Sequence, residues 1–295
     1  MGASAEPQLQ SAPACPICGS DTRFTVGLRG YRIMECATCT HRFADYHADS
    51  GHVGRVYNDT YFTDGGAGYQ DYTLSRAELF AQGRFYGRLL ARYSQLGDLL
   101  DVGAAAGFVL DGMRSVGWTP HGLEPNERMA HYAAGHLNLP VHIGTLEAYD
   151  TRRRFKVVSL IQVLAHFVDP VPAITKAIEL TEPAGLLLVE TWDCRSLFAR
   201  LCGSRWHEYS PPSVLHYFSR DSLVRCMNDR GLDLVSTGRR HKPLRMDHAH
   251  TLAEHVYGPN SLVSTALGML PGQLSVPYLP DDLFWSIWRR RGSVH

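Results

Sequence analysis

Short apolar runs alternate with segments of helical periodicity from about residue 75 to the end of the chain. The runs are predicted as strands at 99–102, 121–124, 141–143, 155–161, 185–191, 231–236 and 283–288. A leading helix is predicted over 75–96, where apolar side chains recur at helical spacing. Alternation of strand and helix predicts an α/β fold with a doubly wound, mostly parallel sheet. The stretch 237–280 fits this alternation poorly and is predicted either as an insertion between the last two strands or as a mobile flap.

The composition is that of a globular enzyme, with 295 residues of which 44% are hydrophobic and 20% charged. That length predicts two unequal domains: a disordered leader at 1–12, a small domain at 13–45, a linker or lid at 46–75 and a main domain at 76–295. We expect no membrane partner, because no window approaches about 18 apolar residues, and a cytoplasmic location, because the first residues lack a secretory pattern. Lys plus Arg equals Asp plus Glu at 29 each, which disfavours nucleic acid as a partner.

Four cysteines crowd the N-terminal region as two CxxC pairs, Cys15 with Cys18 and Cys36 with Cys39, separated by seventeen residues. This spacing is typical of tetrahedral four-cysteine zinc sites, so one structural zinc ion in a ribbon is predicted at 13–45. The alternatives are disulfides, which a reducing compartment disfavours, and bare thiols. His41 lies close in sequence, and we expect it at the surface and not among the ligands.

The segment LLDVGAAAG predicts a strand, a turn of small residues and a helix start, with Asp101 ending the strand and Gly103, Ala105 and Gly107 in the turn. Glu124 ends the next strand, where a carboxylate can accept both ribose hydroxyls of a nucleoside. Together these residues predict a nucleoside cofactor site, although an unliganded turn can use similar residues. A nicotinamide cofactor would require glycine at Ala105 to accommodate its pyrophosphate.

The segments LLDVGAAAG, GLEPNERMAHYA, FKVVSLIQVLAHFVDP and PPSVLHYFSRDSL resemble successive motifs of the class I S-adenosylmethionine-dependent methyltransferases. The likeness is to a small-molecule group with an N-terminal four-cysteine ribbon, which includes sugar C-methyltransferases. It implies seven strands, the last one antiparallel, and S-adenosylmethionine as cofactor. By position it implies these contacts: Asp101, Gly103 and Gly107 with the methionine end, Glu124 with the ribose, Leu146 and Glu147 with the adenine, and Gln162 beneath the sulfonium.

The candidate catalytic base is His166, which follows the fourth strand of the main domain. The family often has Glu-His here, whereas this chain has Ala165 before His166, so the imidazole would act without a carboxylate. His207 and His216 are further candidates in the loop that the resemblance assigns to the acceptor. Three aromatic side chains of that region are expected to wall an acceptor pocket: Trp206, Tyr217 and Phe218.

The sequence therefore predicts methyl transfer from S-adenosylmethionine to a small-molecule acceptor, on oxygen or carbon. The acceptor classes considered are a natural-product intermediate, a sugar and a quinone-like ring. Two alternatives remain open at this point: an NAD-dependent oxidoreductase, and a zinc-ribbon interaction protein with an inactive nucleoside-binding domain.

Overall fold

The computed structural model describes residues 12–49, 51–63, 72–240, 243–277 and 280–291, so nearly all of the expected leader lies outside the described residues. The strands are β1 (Thr22–Leu28), β2 (Tyr31–Cys36), β3 (Arg42–Ala44), β4 (Asp98–Val102), β5 (Thr119–Glu124), β6 (Val141–Ile143), β7 (Phe155–Ile161), β8 (Thr181–Trp192), β9 (His216–Tyr217), β10 (Leu232–Gly238), β11 (Pro243–Arg245), β12 (Ser275–Pro277) and β13 (Leu283–Arg290). The α-helices are α1 (His52–Val56), α2 (Asp59–Thr63), α3 (Arg76–Leu90), α4 (Phe108–Arg114), α5 (Glu127–Leu137), α6 (Pro170–Leu180), α7 (Leu197–Cys202), α8 (Arg220–Asn228), α9 (Met246–Tyr257) and α10 (Leu262–Gly268).

Seven strands form the main sheet, in the order β10-β13-β8-β7-β4-β5-β6. The pairs among β4, β5, β6, β7 and β8 are parallel, whereas β13 is antiparallel to both of its neighbours. The prediction of a doubly wound, mostly parallel sheet with an antiparallel last strand is therefore confirmed. The leading helix α3 ends at Leu90, earlier than the expected residue 96, and a turn follows it.

The sheet has a topological switch point between β4 and β7. From β4 the chain continues outward to β5 and β6, and it then crosses back to β7 on the other side of β4. In open parallel sheets, ligands bind in the crevice beyond the carboxyl ends of the strands at such a point. The loops that follow β4, β5 and β7 are therefore the place to look for a cofactor site.

Helix α3 lies against α4 at backbone contact. A Cβ atom at Gly83 would overlap the Val109 carbonyl oxygen, and one at Gly112 would overlap the Phe80 carbonyl oxygen. Only glycine allows two helices to approach so closely, because any side chain there would force them apart. The close packing fixes α3 over the sheet and presents its buried face, including Tyr86, to the strands.

The N-terminal ribbon is joined to the main domain through a shared sheet. Strands β1, β2 and β3 form an antiparallel sheet whose fourth strand, β9, comes from the main domain. The pairing continues beyond β9, since the Ala44 amide donates to the Leu215 carbonyl at 2.9 Å. A cluster of buried apolar side chains drawn from both regions covers this junction, among them Ile33, Trp206 and Tyr217.

The stretch between β10 and β13, predicted as an insertion, folds outside the main sheet. It carries a two-stranded sheet of β11 and β12 and the two helices α9 and α10. Within the described ranges, no helix has the length and apolar character needed to span a membrane.

Candidate active site

The turn after β4 lies at the switch point and has an unusual backbone. Gly103 has φ 72°, and Ala105 has φ 46°. A Cβ atom at Gly103 would overlap the side chain of Val163, which follows β7. Glycine at 103 therefore lets the loops after β4 and β7 approach each other, and the left-handed conformation of Ala105 turns its amide toward β5.

Glu124 accepts hydrogen bonds from two backbone amides at the end of β5. Its Oε2 accepts from the Ala105 amide at 2.8 Å, and its Oε1 accepts from the Asn126 amide at 2.8 Å. The side chain is buried, and burial raises the pKa of this carboxyl. Each oxygen keeps a second lone-pair direction, so the carboxylate can still accept two further hydrogen bonds, as a ribose diol requires.

Asp101 is a second buried carboxyl at the end of the neighbouring strand. Ser159 Oγ donates to Asp101 Oδ1 at 2.6 Å. Burial, with a smaller contribution from the negative charge of Glu124, raises the pKa of Asp101 to about 7. Within the described chain, neither carboxylate forms an ion pair with a cationic side chain. The pair therefore favours a ligand that brings positive charge and hydroxyl donors.

The other residues that the resemblance assigns to the cofactor differ in their burial and in what they pack against. Gly107 begins α4 with φ 80°, and a Cβ there would lie 2.7 Å from Leu139 Cδ1, so the glycine serves close packing of the turn against the region after α5. Leu146 follows β6 and is buried in the core, whereas Glu147 beside it is exposed. Leu146 thus belongs to the apolar core of the main domain.

Gln162 has φ 56° directly after β7, in a conformation that few residues other than glycine adopt. Its backbone amide donates to the Glu190 carbonyl at 2.9 Å, and its side-chain Nε2 donates to Glu190 Oε1 at 2.7 Å. Glu190 is fully buried near the end of β8 and also accepts hydrogen bonds from Gln82 Nε2, at 2.9 Å, and from the Tyr86 hydroxyl. Sequence reasoning missed Glu190; a carboxylate inside an apolar strand was the available signal.

His166 lies at the end of a 3-10 turn, Leu164–His166, on the carboxyl edge of the sheet. Its Nδ1 is 2.7 Å from the Ser213 carbonyl, which also accepts from the Tyr57 hydroxyl at 2.6 Å. A carbonyl can only accept, so Nδ1 carries the proton and Nε2 keeps a free lone pair. Burial lowers the pKa of His166, outweighing the carbonyls of Ser213 and Gln162, which favour the protonated ring. The imidazole is therefore neutral at pH 7.

His216 has both ring nitrogens engaged. Its Nδ1 is 3.2 Å from His41 Nε2, its Nε2 is 3.3 Å from the Val168 carbonyl, and burial lowers its pKa to about 4. It therefore joins the ribbon to the main domain and is unsuited to act as a base. The expectation that His41 lies at the surface is wrong, because its side chain is fully buried beneath the shared sheet.

His207 sits between two carboxylates in the loop that follows α7. Its Nε2 is 3.4 Å from Glu208 Oε1, and its Nδ1 is 3.9 Å from Asp282 Oδ2. Beside it, the Trp206 indole donates to Asp282 Oδ2 at 2.8 Å and is buried. The three aromatic side chains expected to wall a pocket, Trp206, Tyr217 and Phe218, are all buried in the core. They support the loop from beneath and do not face an open pocket.

The segment 51–63, part of the predicted linker or lid, contacts both the loop after β5 and His166. Asn126, two residues after Glu124, donates through Nδ2 to the Tyr57 carbonyl and to Asp59 Oδ1, each at 3.1 Å. The Tyr57 ring meets the His166 ring edge to face, with centroids 5.6 Å apart. The segment is therefore fastened next to Glu124 at one point and next to His166 at the other.

The four N-terminal cysteines converge on one point. Cys15 Sγ is 3.6 Å from Cys39 Sγ, Cys18 Sγ is 3.5 Å from Cys36 Sγ, and all four sulfurs lie within 4.8 Å of one another. A tetrahedral zinc ion with bonds of about 2.3 Å holds its sulfurs about 3.8 Å apart, so the cluster fits that ion. The Thr38 and Cys39 amides donate to Cys36 Sγ, both at 3.3 Å, as expected where a thiolate is held in a metal knuckle.

The seven-stranded sheet, with its switch point and antiparallel β13, has the fold of a class I methyltransferase, and the paired carboxylates lie at the edge where this fold binds ligands. Residues 74–237, more than half of the chain, match the model of a family described as a methyltransferase domain, and the chain belongs to this family. The prediction of a methyltransferase fold is thus confirmed. The family match leaves no support for the alternative of an NAD-dependent oxidoreductase.

Relatives and solved structures agree with this family. The ubiquinone biosynthesis O-methyltransferase of Bradyrhizobium sp. (strain ORS 278) is 26% identical over 145 residues, which cover 45% of this chain and 57% of the relative. The chain thus spans less than two thirds of that relative's length. Magnesium protoporphyrin IX methyltransferase from Synechocystis PCC 6803, solved with bound SAH, has a TM-score of 0.54 at 13% identity, covering 82% of this chain and all of that one. A methyltransferase from Bacillus halodurans C-125, described as putative, has a TM-score of 0.52 at 13% identity, covering 70% of this chain and 98% of that one.

Proposed function

We propose that the protein transfers the methyl group of S-adenosylmethionine to a small organic acceptor. The observation that carries this proposal is the pair of buried carboxyls, Asp101 and Glu124, at adjacent strand ends with no cationic side chain paired to either in the described chain. A ligand with an ammonium group, a sulfonium and a ribose diol supplies the charge and the donors that this pair lacks.

The residues around the crevice divide the cofactor between them. Asp101 would hold the methionine ammonium, and Glu124 would accept the ribose hydroxyls through its remaining lone pairs. Gly103 and Ala105 allow the turn to approach the ligand, since small side chains leave the backbone uncovered. Leu146 and the exposed Glu147 are proposed to flank the adenine from the loop after β6.

When bound, S-adenosylmethionine supplies an activated methyl group on a cationic sulfur. The protein's contribution is then chiefly to align the acceptor, and alignment can lower a barrier by about 7–11 kcal/mol. A hydroxyl acceptor also loses a proton, and we propose His166 Nε2 as the base that takes it. The Ser213 carbonyl fixes the ring, and Tyr57 packs against it. His207 is the second choice, because its ring is already held near two carboxylates.

A ring hydroxyl is the acceptor we propose to test first. The relatives that support this class are named ubiquinone biosynthesis O-methyltransferases, at 26% and 28% identity over about half of this chain. Tyr57 and Tyr61, which are only partly buried, contact each other edge to face, and Tyr57 also contacts His166, so we propose these two rings as the surface that a flat, partly apolar acceptor meets. Sugars and other natural-product intermediates are the next classes to test, on oxygen or on carbon.

We further propose one structural zinc ion, bound by Cys15, Cys18, Cys36 and Cys39. The four sulfurs complete a tetrahedral shell, which leaves no position for a substrate, so the ion would hold the ribbon together and take no part in chemistry. The pKa of Cys15 is lowered to about 5 and that of Cys39 is raised because the two thiols share a proton. A metal ion would displace that proton.

Titration calorimetry with S-adenosylmethionine, its demethylated product S-adenosylhomocysteine and NAD tests the cofactor. We expect binding of the first two and none of NAD. Incubating the protein and methyl-labelled S-adenosylmethionine with ring-hydroxyl compounds and with cell extract then identifies the acceptor by the labelled product. A folded, zinc-loaded protein that binds none of the three nucleosides would refute the proposal and would support a ribbon interaction protein with an inactive domain.

A further inference from the structure

Glu190 is a carboxylate enclosed by neutral donors next to the proposed methyl-transfer site. Its side chain is fully buried, and Oε1 accepts from Gln82 and Gln162 while Oε2 accepts from Tyr86. In the described chain it forms no ion pair; the cationic group that approaches this cluster is Arg240, which interacts with the Tyr86 hydroxyl. Burying a carboxylate without a directly paired cation is costly, so such an arrangement suggests a role beyond packing.

The position of Glu190 connects it to the switch point. It stands opposite Ile161 in the parallel pairing of β7 and β8, and Gln162 follows Ile161 directly. The backbone amide and side-chain Nε2 of Gln162 are both bonded to Glu190, which holds the residue in its left-handed conformation. Val163, the next residue, packs over Gly103. Gln162 therefore lies between the buried carboxylate and the crevice that would hold the cofactor.

The hydrogen bond to Glu190 also decides which way the Gln162 amide points. An ionised carboxylate can only accept hydrogen bonds, so the amide nitrogen must face it. The amide oxygen Oε1, on the other arm of the same group, is then turned away from Glu190. An oxygen with partial negative charge is favourable beside a cationic sulfur and has little effect beside a neutral one.

We propose that Glu190 is a positioning residue that fixes the Gln162 amide oxygen toward the sulfonium, so that the site prefers S-adenosylmethionine to S-adenosylhomocysteine. The inference rests on the proposed function, because it concerns the cofactor of that reaction. It assigns Glu190 a role in product release: once the sulfur has lost its charge, the fixed amide oxygen no longer attracts it.

The test measures the dissociation constants of both nucleosides for Glu190→Gln by calorimetry. A glutamine at this position is neutral and can donate, so the Gln162 amide is no longer locked. We expect affinity for S-adenosylmethionine to fall about 5- to 20-fold, with less than about 2-fold change for S-adenosylhomocysteine. Glu190→Asp, which keeps the charge, should retain most of the preference. Glu182→Gln, at the opposite end of β8, is the matched control and should leave both constants unchanged.

Gln162→Met keeps the test decisive if Glu190→Gln does not fold, because Gln162 is only partly buried and its side chain is not part of the core. The same selective loss is expected, since the amide oxygen is gone. Equal weakening of both nucleosides in folded Glu190→Gln and Gln162→Met, or no change in either, would overturn the inference while leaving the proposed function intact. Failure of the parent protein to bind either nucleoside would refute the proposed function itself.

Discussion

Replacing Asp101 with asparagine should stabilise the ligand-free protein while weakening cofactor binding. The pKa of Asp101 is raised from 3.8 to about 7, chiefly by burial. Between these two values folding takes up a proton, because the unfolded chain ionises first. The stability that this group contributes is therefore complete below pH 3.8 and is lost as the pH rises through 7.

The size of the effect follows from the shift. Raising the pKa from 3.8 to about 7, at about 1.4 kcal/mol per pH unit, corresponds to about 4 kcal/mol of folding stability lost by pH 8. Asp101→Asn removes the ionisation and keeps an oxygen that can accept the Ser159 hydroxyl, bonded at 2.6 Å in the parent. We expect the variant to be about 2–4 kcal/mol more stable than the parent at pH 8, and the gain to disappear near pH 3.

The assay is urea unfolding at several pH values between 3 and 8, paired with calorimetry of S-adenosylmethionine binding. Binding to the variant should be weaker by about 10-fold or more, because the ammonium loses a charged partner. Asp98→Asn is the matched control: Asp98 begins the same strand, its side chain is 37% exposed, and its ion pair with Arg153 is worth about 1 kcal/mol or less. If Asp101→Asn were less stable than the parent at pH 8, or if its gain did not depend on pH, the reasoning would be refuted.

Three further predictions concern the other parts of the site. Glu124→Ala should weaken S-adenosylmethionine binding about 10- to 150-fold by calorimetry, since bonds to a charged group contribute about 1.5–3 kcal/mol; an unchanged constant in a folded variant would place the ribose elsewhere. His166→Ala should slow turnover about 10² to 10⁴-fold with little change in cofactor affinity. The parent's rate should rise with pH and then level off, and the midpoint of the rise should lie below pH 6.5, because burial lowers the pKa of His166. If the variant loses only a few-fold in turnover, the ring has a structural role. Elemental analysis should find about one zinc per chain in the parent and little after Cys15 and Cys18 are both replaced with serine; full retention would contradict the assignment.

Sequence alone predicted the main sheet well, because its strands are nearly continuous apolar runs. The run at 155–161 coincides with β7, and the acidic residues that end β4 and β5 could be recognised from their place after such runs. The convergence of the four cysteine sulfurs was likewise predictable, because it depends on the spacing of two CxxC pairs within a short stretch. These features are encoded within short stretches, where periodicity and residue type carry the signal.

Contacts between distant parts of the chain were not predictable. Glu190 was read as part of a strand because its partners Gln82 and Gln162 lie on a separate helix and loop. His216 was chosen as a candidate base because nothing in its neighbourhood reveals that His41, 175 positions away, occupies one of its nitrogens. Burial and hydrogen bonding of such residues depend on which surfaces meet, and a single sequence does not contain that information.

The strand shared by the ribbon and the main domain bears on where the protein can be divided. Strand β9, which the main domain contributes to the shared sheet, is only two residues long, and it pairs with β3 from the N-terminal region. Cutting the chain near residue 45 would expose an unpaired strand edge and the apolar junction that includes Tyr217, a combination that favours aggregation. The N-terminal ribbon and the main domain therefore depend on each other for this sheet, and grafting either onto an unrelated partner would require the matching strand of the other.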